Sequence, residues 1–169
     1  MLRIVFVPVF IILLVYGDTG WALATFLAAG ITDVLDGLIA RRFGQKTTIG
    51  AYLDPIADKL LMTSAVVILS LPQMDFANSI PRWLMIIMIS RDVFIFILTM
   101  VLLAVSGFQI FPPSVYGKAS TLLQVVTMLA VLFCNWRGAV IPQLLILYFM
   151  TGFMTALSGL HYLVTKALK

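Results

Sequence analysis

Charged residues are scarce in this sequence of 169 residues, where Asp, Glu, Lys and Arg make up only 11% of the chain. An average soluble domain has about a quarter. Hydrophobic residues make up 62%, and the mean hydropathy is +1.11. A water-soluble chain of this length could not bury so much apolar surface, because small domains keep much of their area exposed. The composition therefore excludes secreted domains, disordered tails and ordinary cytosolic enzymes, and it indicates that most of the chain lies in a lipid bilayer.

Cysteine and histidine each occur once. Cys134 stands alone, which excludes a disulfide framework and a metal site built on cysteine. His161 falls near the end of the last apolar stretch, and we interpret it as a polar anchor at the membrane interface rather than as a catalytic base. The net charge of +4 does not indicate a nucleic-acid partner, because basic residues in cytoplasmic loops account for it.

Long apolar stretches separated by short segments of turn-forming residues dominate the sequence. A membrane-spanning helix needs about 20 apolar residues. Stretches of this kind cover roughly residues 2–17, 20–40, 50–71, 82–105, 115–135 and 140–164. We find no repeat and no second domain. The sequence therefore predicts an all-α polytopic membrane protein in which residues 1–169 form a single bundle of six transmembrane helices.

Loop charges predict the orientation of this bundle. With the N-terminus inside, the basic residues of the inner side are Arg3, Arg41, Arg42, Lys46, Lys118, Lys166 and Lys169. Only Arg82 and Arg137 then fall on the outer side, as the positive-inside rule expects. All three tryptophans lie near the outer interface in this orientation, where amphipathic rings are enriched. Two independent signals therefore agree on the topology.

Four aspartates interrupt the apolar pattern close to the inner surface. Asp33 and Asp36 end the second stretch, and Asp54 and Asp58 open the third. Spacings of three and four residues place each pair on one face of a helix. The short connection between the two stretches makes them antiparallel neighbours. We therefore expect the four carboxylates to converge at the cytoplasmic edge of the bilayer.

Carboxylates this close together repel one another and are costly to bury unless cations join them. Hard divalent cations with oxygen ligands meet this need, and a cluster with four negative charges suits two ions rather than one. Two metal ions about 4 Å apart can hold both the entering and the leaving oxygen of an in-line phosphoryl displacement. The pattern thus favours chemistry on a phosphate.

The residues around the aspartates suit a phosphate ligand. Three of them are small and allow a close approach of backbone or ligand: Gly37, Ala40 and Gly50. Arg41 follows Gly37 by four residues and suits a bidentate grip on a phosphate. Thr47 and Thr48 could donate to phosphate oxygens, although simple capping of the third helix is an equal alternative for this pair.

The pattern Asp33-x-x-Asp36-Gly37-x-x-Ala40-Arg41, followed after eight residues by Gly50-x-x-x-Asp54-x-x-x-Asp58, resembles the signature of the CDP-alcohol phosphatidyltransferases. All eight positions match without a change of spacing. An intramembrane network of ion pairs with the adjacent arginines is the alternative interpretation of these aspartates, but such a network needs no fixed pattern. Six spans in a short chain also fit the family.

The resemblance implies a set of roles. Asp33, Asp36 and Asp54 would bind two ions of Mg²⁺ or Mn²⁺, and Asp58 would touch the second ion and act as the general base toward the acceptor hydroxyl. The CDP moiety would be held by Gly37, Ala40, Arg41 and Gly50. The phosphatidyl group of CDP-diacylglycerol would pass to an alcohol, with release of CMP. The resemblance also implies a homodimer in a bacterial inner membrane, with the active site facing the cytoplasm.

Two further patches resemble the branch of the family that uses glycerol-based acceptors. They are Ile89-Ser90-Arg91-Asp92 in the fourth stretch and Gly117-Lys118-x-x-Thr121-x-x-Gln124 at the start of the fifth. Lys118, Thr121 and Gln124 recur every three residues, and we expect this polar stripe to face the bundle interior.

Lys118, Thr121, Gln124 and Arg91 are candidates to bind the acceptor, and Lys118 could bind its phosphate or headgroup. A lysine that snorkels to the interface and a structural role for Arg91 and Asp92 are the alternatives. Neighbouring residues do not face one another on a helix. We therefore expect Arg91 and Asp92 each to have a partner on another span.

The acceptor alcohol has two interpretations. The Gly117–Gln124 patch favours glycerol 3-phosphate and hence phosphatidylglycerophosphate synthesis. Related phosphatidylglycerophosphate synthases carry an arginine eight residues after Arg91, whereas this chain has Thr99, and the Arg-Asp pair resembles cardiolipin synthases, which use phosphatidylglycerol. A divalent-cation transporter is an alternative from a different class. The grouping of all four aspartates at one membrane face argues against a transport path.

Overall fold

The computed structural model describes residues 3–43, 48–106 and 115–164, and within them the side chains of residues 5–35, 57–101 and 115–164. This described part contains α-helices and no strand, as predicted. The helices are α1 (Arg3–Val15), α2 (Thr19–Phe43), α3 (Thr48–Leu69), α4 (Arg82–Ser106), α5 (Val115–Trp136) and α6 (Leu144–Tyr162). The prediction of six helices is confirmed.

Among the described residues, three helices are long and apolar enough to cross a membrane, over Arg82–Val101, Val115–Trp136 and Leu144–Tyr162. The 22 residues of α5 extend about 33 Å at 1.5 Å per residue, which matches a hydrocarbon core of about 30 Å. Within the described part, α1 and α2 contribute the shorter apolar stretches Val5–Val15 and Thr19–Leu35. The chain is therefore an all-helical membrane protein.

Two compact units are present, and the prediction of one domain over residues 1–169 stays a prediction. Unit 1 comprises Met1–Ser79 and Leu129–Ile141, and unit 2 comprises Ile80–Met128 and Pro142–Lys169. Unit 1 thus contains the four aspartates of the predicted metal site. Unit 2 contains Arg91 and the three residues predicted to form a polar stripe on α5.

In unit 1, α1 packs against both α2 and α3. Phe10 and Leu14 are fully buried, and the ring of Phe10 lies against that of Phe26 on α2, with centroids 5.7 Å apart. Val5 and Ile12 are exposed on other faces of α1. Because lipid tails are as apolar as these side chains, close packing rather than transfer from water stabilises the contact.

Two helix ends in unit 1 share one capping motif. After α1, Gly17 has a φ of +79°, and the N–H of Asp18 donates to the carbonyl of Leu13 at 2.9 Å. After α5, Gly138 has a φ of +63°, and the N–H of the next residue donates to the carbonyl of Cys134 at 3.1 Å. This Schellman geometry needs a left-handed residue, which glycine adopts without strain.

Two asparagines join the segment between α3 and α4 to the end of α5. The Oδ1 of Asn135 accepts the N–H of Asn78 at 2.7 Å, and its Nδ2 donates to the carbonyl of Asn78 at 3.0 Å. The Nδ2 of Asn78 donates to the carbonyl of Ala139 at 2.7 Å, and its Oδ1 accepts the N–H of Ile141 at 3.1 Å. Asn78 is 8% exposed, so it supplies partners to backbone groups in a region with little access to water.

In unit 2, α4 and α6 are in contact, and they run parallel, because the residue pairs that join them advance together along both helices. Trp83 near the start of α4 stacks on Phe149 near the start of α6, with ring centroids 5.2 Å apart. Further along both helices, Thr99 forms a hydrogen bond with Tyr162. A Cβ atom added at Gly152 would lie 2.6 Å from Cζ3 of Trp83, so the close approach of the indole ring requires glycine at this position.

Replacement of Asn78 by Ala should destabilise unit 1. The change leaves the carbonyl of Ala139 and the N–H of Ile141 without their side-chain partner, and one buried unpaired group costs about 1–3 kcal/mol. We expect a lower midpoint of thermal unfolding in detergent, followed by tryptophan fluorescence. The matched control Gln73→Ala removes an exposed amide from the same segment and should leave the midpoint unchanged. Equal midpoints for the two variants would contradict the role of Asn78.

Candidate active site

The four aspartates of the predicted metal site lie on the two helices predicted for them. Asp33 and Asp36 fall in the second half of α2, and Asp54 and Asp58 in the first half of α3. At 3.6 residues per turn, the first two are about 60° apart around their helix and the second two about 40° apart. Each pair therefore shares a helix face, as the spacing predicts.

The side chains of Asp33 and Asp58 are exposed, and those of Asp36 and Asp54 lie outside the described side chains. Among the side chains that are described, no three His, Cys, Asp or Glu residues form a group that could hold a metal ion. The convergence of all four carboxylates around two ions thus stays a prediction. The donor set itself offers only carboxylate oxygens, which is the ligand chemistry of Mg²⁺ and Mn²⁺ rather than of softer metals.

The residues predicted to hold the nucleotide fall mainly on the same two helices. Gly37, Ala40 and Arg41 belong to α2, while Thr48 and Gly50 belong to α3, but their side chains lie outside the described part. Thr47 lies outside the described residues altogether.

A cavity of about 420 Å³ opens at the other end of unit 1. Its lining includes Tyr16 and Thr19 beside the α1–α2 turn, and Gln73 and Asp75 after α3. Thr19 and Asp33 are 14 positions apart on α2, which corresponds to about 21 Å along the helix axis. The cavity is therefore separate from the predicted metal site.

Arg91 forms a polar cluster within unit 2. Its Nη1 donates to Oδ1 of Asp92 at 2.8 Å, and its Nη2 donates to Oγ of Ser158 on α6 at 2.9 Å. The side chain of Arg91 is 10% exposed and that of Asp92 is 20% exposed. The prediction of a partner on another span is confirmed for Arg91. The expectation that the two neighbours do not meet is wrong, because the long arginine side chain reaches back to the carboxylate beside it.

Thr99, at the position where an arginine was expected for a phosphomonoester acceptor, lies in a neutral pair. Its Oγ1 donates to the carbonyl of Ile95 at 2.7 Å and lies 3.1 Å from the hydroxyl of Tyr162. A hydroxyl has one proton, and the proton of Thr99 is already used on its own helix. Tyr162 therefore donates to Thr99, and the pair is satisfied without any charge.

Sequence reasoning missed a buried stripe of hydroxyl and amide groups between α5 and α6 in unit 2. Its members on α5 are Ser120, Gln124 and Thr127, and those on α6 are Thr151, Thr155 and Ser158, all at most 3% exposed. Oγ1 of Thr155 accepts from Ser120 and from Nε2 of Gln124, at 3.2 Å each, and the hydroxyls of Thr127 and Thr151 lie 2.6 Å apart. Spacings of four and then three residues on both helices are the sequence signal that could have revealed it.

The predicted stripe of Lys118, Thr121 and Gln124 does not share one environment. Gln124 is buried, Thr121 is half-buried and donates to the carbonyl of Gly117 at 3.1 Å, and Lys118 is exposed. A repeat of three residues turns by about 60° at each step around a helix, so the first and last members point about 120° apart. The expectation of an inward-facing stripe is thus confirmed for Gln124 and wrong for Lys118, while their predicted roles toward the acceptor stay predictions.

His161 is half-buried near the end of α6. Its ring lies 4.6 Å from that of Tyr116, centroid to centroid, and Tyr116 belongs to the first turn of α5. This ring contact at two helix ends agrees with the interpretation of His161 as an anchor.

The helices and the aspartate pattern together define an integral membrane protein with two pairs of acidic residues on consecutive helices. Residues 1–159 match the family model described as CDP-alcohol phosphatidyltransferase. The chain belongs to the CDP-alcohol phosphatidyltransferase family, as the eight-position pattern predicted.

Three relatives illustrate the range of names within the family. A Mycobacterium tuberculosis protein named probable phosphatidylglycerophosphate synthase is 38% identical, with 76% of this chain and 60% of the relative covered. A Bacillus subtilis protein named CDP-diacylglycerol--glycerol-3-phosphate 3-phosphatidyltransferase is 31% identical, with 95% and 88% covered. A Drosophila melanogaster protein named probable cardiolipin synthase (CMP-forming) is 33% identical, with 97% and 55% covered. The chain thus spans about three-fifths of the first relative and just over half of the third.

Replacement of Gln124 by Ala should destabilise the protein more than replacement of Lys118 by Ala. Gln124 donates to a buried hydroxyl on another helix, and loss of such a hydrogen bond costs about 1 kcal/mol or more, whereas Lys118 is exposed. The measurement is the midpoint of thermal unfolding in detergent. If Lys118→Ala lowered the midpoint as much as Gln124→Ala, the assignment of the buried stripe would be wrong.

Proposed function

We propose that this chain transfers the phosphatidyl group of CDP-diacylglycerol to glycerol 3-phosphate, which yields phosphatidylglycerophosphate and CMP. The family match over residues 1–159 carries the proposal. The names of the Mycobacterium and Bacillus relatives support this acceptor. The intact pattern of eight motif positions on α2 and α3 supports the same reaction.

In the proposed reaction, the acceptor hydroxyl oxygen attacks the phosphorus that carries diacylglycerol. A new P–O bond forms, the bond between that phosphorus and the bridging oxygen breaks, and its electron pair leaves with CMP. The carboxylate of Asp58 accepts the hydroxyl proton, which raises the nucleophilicity of the oxygen. Asp58 is exposed, so a substrate can reach it.

The remaining motif residues bind and orient the nucleotide in this proposal. Asp33, Asp36 and Asp54 hold two Mg²⁺ or Mn²⁺ ions with Asp58, and the bound ions would neutralise the charge that builds up on the diphosphate. The small residues of the motif let the diphosphate approach the helix backbone, and Arg41 binds a phosphate oxygen. Thr47 and Thr48 donate to phosphate oxygens at the start of α3.

In this proposal the acceptor is bound by residues of α4 and α5. Arg91 and Lys118 supply positive charge for the acceptor's phosphate, while Thr121 and Gln124 contribute polar groups on α5. We propose in addition that the chain works as a homodimer in a bacterial inner membrane, with its active site on the cytoplasmic side. The excess of basic residues predicted for the inner loops supports that orientation.

Cardiolipin synthesis from phosphatidylglycerol is the second candidate, and a specific observation favours it. Thr99 and Tyr162 form a neutral pair where a second cation would suit a phosphomonoester, and Asp92 is bonded to Arg91. A phosphodiester such as phosphatidylglycerol carries a single negative charge and needs less compensation than the phosphate of glycerol 3-phosphate. The Drosophila relative carries the corresponding name.

An acceptor panel separates the two candidates. Purified protein with labelled CDP-diacylglycerol should release CMP when glycerol 3-phosphate is supplied, and the product should be phosphatidylglycerophosphate. Parallel reactions contain phosphatidylglycerol, inositol phosphate or serine. CMP release with phosphatidylglycerol alone would replace the proposed activity by cardiolipin synthesis. Divalent-cation flux into proteoliposomes without CMP release under any condition would instead indicate a transporter.

Replacement of Asp58 by Asn should abolish most turnover and leave binding of CDP-diacylglycerol largely intact. The amide keeps the shape of the side chain but cannot accept the proton, and loss of a general base lowers rates by about 10²–10⁴-fold. The control Asp75→Asn changes an exposed aspartate beyond the end of α3 and should keep full activity. Full activity of Asp58→Asn would exclude the base role.

Removal of divalent ions should stop CMP release, and Mg²⁺ or Mn²⁺ should restore it. Binding of Mn²⁺ can be followed without turnover by electron paramagnetic resonance of the free ion. We expect Asp33→Asn to weaken Mn²⁺ binding, because it removes a carboxylate from the proposed site, and Asp18→Asn at the α1–α2 turn to leave it unchanged. Equal Mn²⁺ affinity in both variants would contradict the assignment of Asp33.

A further inference from the structure

The contact between Arg91 and Ser158 connects two parallel helices of unit 2. Nη2 of Arg91 donates to Oγ of Ser158 at 2.9 Å, and Ser158 is 1% exposed. The aliphatic part of the arginine lies against the next small residue of α6, since a Cβ at Gly159 would be 3.6 Å from Cγ of Arg91. Ser158 and Gly159 therefore form the part of α6 against which the arginine side chain packs.

Among the described residues, the protein's acceptors do not saturate the guanidinium group. It carries five N–H groups, and the two contacts described above engage one terminal nitrogen each. Each terminal nitrogen thus retains a further N–H. Nε is also buried without a hydrogen-bond partner among the described residues. A cation held at two points with donors to spare has the capacity to bind an oxyanion.

The two partners of Arg91 act differently on it. Asp92 lies on the same helix and carries a charge, so it reduces the net charge of the cluster. Ser158 lies on another helix and is neutral, so it fixes the direction of the guanidinium plane without weakening its attraction for an anion. Of the two, only Ser158 can orient Arg91 relative to a neighbouring helix without reducing the net positive charge of the cluster.

We propose that Ser158 is a positioning residue, which orients Arg91 for the phosphate group of the acceptor. This inference rests on the proposed function, because it gives Arg91 the acceptor as its ligand. Ser158 itself touches no substrate in this proposal. Its loss should leave Arg91 free to rotate toward Asp92 and should weaken recognition of the acceptor rather than the chemical step.

The test compares Ser158→Ala with Thr151→Val, which removes another buried hydroxyl from the same face of α6. For Ser158→Ala we expect the KM for glycerol 3-phosphate to rise about tenfold, the effect of one lost hydrogen bond to a charged group. The kcat at saturating acceptor and the KM for CDP-diacylglycerol should stay within twofold of the values for the protein without substitutions. Thr151→Val should leave all three constants within twofold.

Two further variants distinguish the loss of the hydroxyl group from a change in side-chain packing. Ser158→Cys keeps the shape of the side chain at a slightly larger volume but offers a poor acceptor, and it should raise the same KM as Ser158→Ala does. Ser158→Thr retains the hydroxyl and should restore most of the affinity. Equal acceptor KM values for Ser158→Ala and Thr151→Val would overturn the inference, as would a fall in kcat with no change in that KM.

A second readout does not depend on turnover. The chain contains six arginines: Arg3, Arg41, Arg42, Arg82, Arg91 and Arg137. In protein labelled with ¹⁵N-arginine, the signal lost in Arg91→Lys identifies the Nε–H of Arg91, and inorganic phosphate is the probe. The signal should shift with phosphate in the unchanged protein and shift less in Ser158→Ala. Equal shifts, or none in either protein, would overturn the inference even if CMP release with glycerol 3-phosphate upheld the proposed function. Absence of CMP release with every acceptor would instead refute that function.

Discussion

A polar side chain inside a bilayer has no water to bond with, and this constraint organises much of unit 2. Each unpaired polar group in hydrocarbon costs several kcal/mol, so hydroxyls, amides and charges have to find protein partners. Ser120 and Gln124 find theirs on α6, in Thr155, and Arg91 finds one in Ser158. The hydrogen bonds specify which faces of α5 and α6 meet, which apolar side chains alone specify poorly because lipid competes with them equally well.

In unit 1, two described acidic side chains of the predicted metal site are exposed rather than buried. Asp33 and Asp58 are exposed, in contrast to the buried polar groups of unit 2. If they converge with Asp36 and Asp54 as predicted, they make a strongly anionic region from a small number of residues. Apolar packing of α1 against α2 and α3 supports both helices. The exposure of Asp33 and Asp58 suits groups proposed to bind ions and to accept a proton.

The sequence alone was enough to predict the helices and the family, because both depend on local pattern. The length of an apolar stretch predicts a helix from local sequence alone. The spacing of three residues likewise places Asp33 and Asp36 on one face of their helix, independently of the rest of the chain. The partners of Arg91 could not be predicted in the same way. Ser158 is 67 residues away from it in the sequence, and their contact depends on the register of two parallel helices. The pairing with Asp92 was missed for another reason, since helical geometry describes Cβ directions and not the reach of a long side chain.

The stripe on α5 shows how a small error in period changes a conclusion. Lys118, Thr121 and Gln124 are three residues apart and look like one face, but the buried face follows Ser120, Gln124 and Thr127. Only Gln124 belongs to both sets. A comparison with the spacing of hydroxyl residues on α6 would have revealed the true face, because the two helices carry the same alternation of four and three residues.

The indole ring of Trp83 occupies the space that a Cβ at position 152 would need. The effects of substitutions at these two positions are therefore coupled. Alanine at position 152 would clash with the indole ring unless Trp83 shifts or has already been replaced by a smaller residue, whereas replacing Trp83 first leaves space beside Gly152. Across homologous sequences these two sites should covary, with glycine accompanying large rings and bulkier residues accompanying short side chains.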